Sequence, residues 1–246
     1  MNTNNKGSHN FQSEAEKFKA AYLAKTGQKF TGVISQSFIR AEVELQDANG
    51  NYTFDLRNAK GTKAITELLL KENDMFKVYD INFALGVKDS TNPAAYVPQT
   101  YPNGLIFEDE AGLTTPGAFR TLHLEAIYNG GYLGYKKGDT TYLPALSLRP
   151  ARFVSQTQQS SATNKSSTEQ NHGGHIPLAR PFTIIGTDVG DLTMTIPGAA
   201  TLKIQYNATA TGHATSKVIA IVQLEGLLIS GGNKISTAAS AAVAAE

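Results

Sequence analysis

The chain has 246 residues, is 41% hydrophobic and carries a formal charge of +1, enough apolar material for one sizeable core or two small ones. The near-zero charge provides no field for sequence-independent binding of nucleic acid or anionic membrane. The absence of cysteine excludes a disulfide framework, zinc–thiolate sites and a cysteine nucleophile. Charged residues make up only 17%, below the usual quarter, and Gly, Ala, Ser, Thr, Asn and Gln take their places.

Taken in chain order, residues 1–27 read as a polar arm followed by a short helix. The start has no apolar secretory segment, so the chain is expected to be made in the cytosol, and no apolar run reaches the roughly 18 residues of a membrane span. Ser13-Glu14-Ala15-Glu16 fits a capping box and Gly27 a C-terminal stop. Ala15, Phe18, Ala21 and Tyr22 fall between them at helical spacing, predicting a helix over 14–26. Phe18 and Tyr22 are its candidate contacts, with its own domain or with a neighbouring subunit.

From residue 28 the period changes to two. Phe30, Gly32 and Ile34 open a first strand, and Ala41, Val43 and Leu45 alternate with Glu42, Glu44 and Gln46. Ala48-Asn49-Gly50-Asn51 predicts a hairpin with a type I′ turn, with Tyr52, Phe54 and Leu56 on the return strand. Thr62–Glu72 is predicted to be a short helix. Phe76, Val78, Tyr79, Ile81, Phe83 and Leu85 mark a long strand, followed by a proline-rich loop over 88–104 and a short strand at Leu105-Ile106-Phe107.

The second half opens with an alternating strand, Phe119–Tyr128. Asn129-Gly130-Gly131 and Lys136-Lys137-Gly138-Asp139 then turn the chain through Tyr132–Tyr135 and Thr140–Leu143, a three-stranded meander ending at Pro144. Residues 156–174 form a polar low-complexity loop. Phe182–Ile185 resumes the sheet. Leu192, Met194 and Ile196 form the next strand, and Leu202, Ile204 and Tyr206 another. Lys217–Gly232 is apolar on both faces in its first half, which predicts a central strand, and Gly226 within it allows a bend or bulge. An alanine-rich tail follows over 233–246.

About a dozen strands predict a mainly β protein: an antiparallel β-sandwich or jelly roll, as one elaborated barrel or two compact ones, with a short N-terminal helix. The proposed division falls near residues 112–117. It gives a first barrel or half-sandwich over 28–115 and a second over 116–232.

Candidate chemistry is sparse. Glu108, Asp109 and Glu110 could offer hard oxygen ligands to calcium, and His172 and His175 flank two glycines as the one histidine pair. Neither group has a complete ligand set in the sequence, so no metal and no cofactor are expected. There is no Gly-x-Ser-x-Gly elbow, phosphate-binding loop or dinucleotide fingerprint, and the expectation is a protein that is not an enzyme. Tyr128, Tyr132, Tyr135 and Tyr142 could form a sugar-stacking platform or simply fill the core. With the 108–110 carboxylates they support an alternative reading as a carbohydrate-binding or adhesive sandwich. Arg149 and Arg152 flank Pro150 and could meet a neighbour's carboxylate. Leu227 and Ile229, past Gly226, could reach the rim where a partner subunit docks.

Two segments together carry a family likeness: Leu68–Leu85, running from a polar corner into a long strand, and Val218–Ile229, a closing strand interrupted by glycine. With the meander over 122–143, they resemble the jelly-roll major capsid proteins of icosahedral bacteriophages, particularly the double-jelly-roll lineage. The resemblance implies a virion coat subunit made in the host cytoplasm. It would assemble with copies of itself as homotrimers within a larger shell, alongside other virion proteins and over an internal membrane, with no sequence-specific nucleic acid as partner. A single-barrel capsid or vertex protein is the variant that the chain's modest length suggests.

Overall fold

The computed structural model describes residues 11–57, 69–88, 98–102, 104–107, 121–154, 174–187, 190–204 and 216–232, with the backbone alone at 104, 105 and 121–123. The expected helix over 62–72 falls mostly outside these residues. So do the loop over 156–173, the division near 112–117 and the tail.

Eight strands form two antiparallel sheets: β1 (Ile34–Glu44), β2 (Asn51–Phe54), β3 (Met75–Lys88), β4 (Tyr132–Lys137), β5 (Thr140–Ser147), β6 (His175–Ile185), β7 (Asp191–Thr195) and β8 (Lys217–Ile229). One sheet has the order β1-β8-β3-β6, the other β2-β7-β4-β5. The first strand pairs with the eighth, the second with the seventh, the third with the sixth and the fourth with the fifth. This is a long antiparallel ribbon folded over on itself, the jelly roll. Each sheet draws strands from both sides of residue 115 and one continuous core lies between them, so the described strands build a single roll.

β8 is a central strand, as its two-sided apolarity predicts. Val218, Ala220, Val222 and Leu224 point into the main core, while Ile219 and Ile221 form a second buried cluster with Ala84 on the outer face. The alternation of β3 changes phase midway. Phe76 and Val78 face the core at even positions, then Ile81, Phe83, Leu85 and Val87 at odd ones. A bulge at Tyr79 makes the switch: Val78 pairs with Gly226 and Asp80 with Glu225. Gly226 is required here, because a Cβ would stand 1.9 Å from the Lys77 carbonyl oxygen.

The Asn49-Gly50 hairpin is corrected. β1 does not pair with β2; the chain leaves the first sheet and enters the second, where β2 pairs with β7. The left-handed residue is Ala48, at φ 56°, and its N–H bonds the Leu202 carbonyl. The Asn49 side chain accepts from the Asn51 N–H, and the Gly50 carbonyl accepts from Ile196. Partners from the end of the chain thus hold a corner where local turn chemistry suggested a reversal. Tyr52, Phe54 and Leu56 are nonetheless buried as expected.

The Phe119–Tyr128 strand is also corrected. Thr121–Gly130 is a helix, α3, after α1 (Phe11–Thr26) and the single turn α2 (Gly104–Phe107). Buried Leu124, Ile127 and Tyr128 stand at i, i+3 and i+4 while Ala126 is exposed, a helical stripe. Few β-branched residues oppose it. The strand expected at 105–107 is α2. The strand expected from Leu202 is not formed over residues 202–204, which follow a 3₁₀ turn, Ala199–Thr201, with Leu202 buried; Tyr206 lies outside the described residues. At the end of the expected 62–72 helix, Leu70 forms a bridge with Arg57. The first strand begins at Ile34 rather than Phe30, and β5 runs through Pro144 to Ser147. Pro144 is tolerated because β5 is an edge strand.

Candidate functional site

Two surface features bear on function: the helix laid over the first sheet, and the open edge between the sheets. α1 spans Phe11–Thr26 and has no fully buried residue, so packing contacts rather than core insertion hold it. Gly27 ends it in the left-handed conformation at φ 68°, its N–H on the Leu23 carbonyl. Phe18 and Tyr22 both meet Phe30 edge-on, with ring centroids 5.2 and 5.1 Å away. The chain then returns past Gly32 to β1. At the other end Phe11 meets Tyr79 edge-on at 5.4 Å.

Glu14 is the polar anchor. Its carboxylate accepts from Lys17 at 2.8 Å, from Lys77 at 2.6 Å and from the Tyr79 hydroxyl at 2.9 Å. These bonds, with Lys17 first, hold its pKa down at about 2. Burial and the Glu14 carboxylate together raise the Tyr79 hydroxyl's pKa. Tyr79 can reach the helix because the β3 bulge displaces it. Ser13 lies in the first turn of α1, and Glu14 beside it makes the bonds to Lys77 and Tyr79 of β3.

A group whose folded pKa is depressed contributes stability above its unfolded pKa, here near 4.5, and loses it as pH falls through the folded value. The docking of α1 is therefore expected to persist at pH 5 and to weaken progressively from about pH 4.5 down to about 2. Hydrogen exchange in α1 should rise over that window while β3 and β8 stay protected. Glu14→Gln should show the loosened helix already at pH 7. Unchanged exchange in that variant would contradict the anchoring role.

Three of the four other expected contact residues are engaged within the chain. Leu227 and Ile229 are 3% and 2% exposed, on the outer face of β8 where α1 contacts that strand. Arg152 makes a bidentate pair with Glu125, both nitrogen–oxygen distances 2.7 Å. This pairing fastens the 3₁₀ turn Arg149–Ala151 to α3 and raises the guanidinium's pKa. Arg149 is exposed.

His175 begins β6, its Nδ1 3.6 Å from Glu225 and its Nε2 3.4 Å from the Asn82 amide nitrogen. His172, Glu108, Asp109 and Glu110 lie outside the described residues, among which no group of three His, Asp or Glu could hold a metal ion. No helix among the described residues is long and apolar enough to cross a membrane. Farther along the same outer face, Glu42 is nearly buried, its side chain 3% exposed between Arg40 at 3.1 Å and Lys88 at 2.7 Å.

The four tyrosines do not form one platform. Tyr128 and Tyr135 are fully buried. Tyr128 packs edge-on against Phe83, and Tyr135 stacks on Phe182 across the two sheets at 4.6 Å. Tyr132 is half-buried, and Tyr142 is 43% exposed.

Tyr142 borders a cleft of about 470 Å³ between the β4–β5 hairpin and the edge of β6, with Lys137, Thr140, Thr141, Arg180 and Thr183 around it. Arg180 was not singled out in the sequence. The only local signal was Pro181 beside it, which marks an edge or bulge position.

Compared with family models, curated proteins and solved structures, the chain matches none. The fold and the side-chain geometry therefore carry the functional argument.

Proposed function

We propose that this chain is a virion coat subunit built as one jelly roll, whose work is association with copies of itself. The strand order β1-β8-β3-β6 over β2-β7-β4-β5 carries the reading. Eight-stranded jelly rolls of this kind serve as viral capsid domains, and also as lectin and cupin domains. The outer face of the second sheet favours the first of these uses. Asn51 aligns with Thr195 and Tyr132, and Thr53 with Thr193 and Gly134. These positions form an uncharged patch, bordered by the exposed Lys136 and Asp191, that can be covered at little desolvation cost.

One roll per chain also refines the expected assembly. A trimer would hold three rolls, so matching the six rolls of a double-roll trimer would take six of these chains. Closed rings follow from cyclic symmetry in either case.

Mass photometry and electron microscopy at micromolar concentration are expected to show rings or shells. Thr53→Lys, a solvent-exposed change within the uncharged patch, should dissociate them without unfolding the subunit. A wild-type protein that stays strictly monomeric would overturn the reading.

A further inference from the structure

We propose that the cleft between β5 and β6 binds an acidic sugar, a saccharide unit carrying one carboxylate. The inference goes beyond the coat reading and does not depend on assembly.

The site is shaped by an irregularity in β6. Val78 pairs with Phe182 and Asp80 with Pro177, so the four residues Leu178 to Pro181 oppose Tyr79 alone. Bulges of this kind re-aim side chains at sheet edges. Here the excursion carries the exposed Arg180 to the cleft. Among the described residues no carboxylate pairs with it. Pro177 and Pro181 remove two backbone donors from this edge, which disfavours an added strand as occupant.

Opposite stands Tyr142. Its ring leans on Tyr135 at 5.7 Å and on Phe182 at 6.2 Å, tilted by 43° and 39°. Those buried rings fix its position, yet the side chain remains 43% exposed. A braced ring with open surface is a stacking platform: the C–H groups of a pyranose carry partial positive charge and rest on the negative ring face. Thr140, Thr141 and Thr183 supply hydroxyls that both donate and accept, matching the hydroxyls of a sugar. The Arg180 fork matches a carboxylate, and Lys137 adds positive potential to the cleft.

The volume, about 470 Å³, lies in the range of small-molecule sites. A single open ring and a chain charge of +1 suit one charged sugar better than a polyanion, whose binding depends on many phosphate contacts.

The test is an NMR titration with D-glucuronate, read at the tyrosine rings, beside parallel titrations with D-glucose and sodium sulfate. Saturable shifts with glucuronate, at a Kd on the order of 1 mM, are expected at Tyr142. Glucose and sulfate should each bind at least about tenfold more weakly, a difference of about 1.4 kcal/mol.

Arg180→Gln should weaken glucuronate about tenfold and bring its affinity close to that of glucose. Tyr142→Ala should abolish the shifts at the remaining cleft residues, and Tyr142→Phe should preserve binding. Phe38→Ala, on the outer face of the first sheet, should change nothing. Both cleft positions are exposed, and circular dichroism will check that the variants remain folded. No saturation by about 50 mM glucuronate, equal affinity for glucose, or equal affinity for sulfate alone would each overturn the proposal.

Discussion

Gly226→Ala is expected to destabilise the protein by about 3 kcal/mol or more, at the upper end for overpacking a core. Gly226 sits in the central strand β8, opposite the β3 bulge. A Cβ there would lie 1.9 Å from the Lys77 oxygen, 2.8 Å from its carbonyl carbon and 3.2 Å from Val78 Cα. All three are backbone atoms of the neighbouring strand, so no side chain can rotate away. Relief would require separating β8 from β3, or removing the bulge and reversing the faces of either Phe76 and Val78 or the Ile81–Val87 set.

Thermal unfolding should show the midpoint falling by roughly 6–12 °C for a chain of this length. Gly130→Ala is the matching control. It stands at the end of α3 with nothing within 4 Å of its Cβ position, and should be neutral or mildly stabilising. Comparable midpoints for the two variants would refute the steric account.

Phe83→Ala should cost about 3–5 kcal/mol. Phe83 is fully buried and faces the core because the Tyr79 bulge has shifted the phase of β3. Its ring meets Tyr128 of α3 edge-on, with centroids 5.4 Å apart. The alanine variant loses the transferred apolar area, leaves a cavity and removes an aromatic pair, which alone is worth about 0.5–1.5 kcal/mol.

Phe83→Leu keeps most of the volume and should cost roughly 1.5 kcal/mol. Urea denaturation should rank the wild type above the leucine variant and the leucine variant above the alanine one. Since small domains are stable by only about 5–15 kcal/mol, combining Phe83→Ala with Gly226→Ala should leave little folded protein. A mild effect of Phe83→Ala would mean that α3 is not seated on β3 as described.

The two predictions test different parts of the same device. Gly226 permits the bulge, and Phe83 benefits from the phase change it introduces. The bulge also turns Tyr79 outward to Phe11 and Glu14, and it faces the irregular span of β6 that bears Arg180. A single break in alternation thus connects the core, the docking of α1 and the open cleft.

Much of this was legible in the sequence wherever a residue's environment follows from its immediate neighbours. Alternation over Ala41–Leu45 and over Leu192–Ile196, and the two-sided apolar run of β8, marked strands, and Gly27 marked the end of α1. The sequence Val78-Tyr79-Asp80-Ile81 already contains the change from even to odd apolar positions. The 121–130 segment was ambiguous because Leu122, Leu124, Ala126 and Tyr128 satisfy a period of two, while Leu124, Ile127 and Tyr128 satisfy 3.6. The exposed Ala126 settles it for the helix.

The cleft was not legible as a site. Tyr142 stood among four similar tyrosines, and Arg180 looked like an ordinary edge residue. They meet only because β5 and β6 end the two sheets on the same side of the roll.

By itself, the sequence determined the β class, the central position of β8, the first helix and the identity of most core residues, because side-chain period and glycine placement are local properties of the chain. Only the tertiary structure decided which strands pair. Asn49-Gly50 announced a reversal, but Tyr52 pairs with Met194 rather than with β1. The physical reason is that a turn motif biases a few backbone dihedrals by an amount that contacts from distant residues can override. Here the Gly50–Ile196 and Ala48–Leu202 hydrogen bonds and the burial of Tyr52 and Phe54 hold the corner open. Those contacts exist only after some 140 intervening residues have folded back.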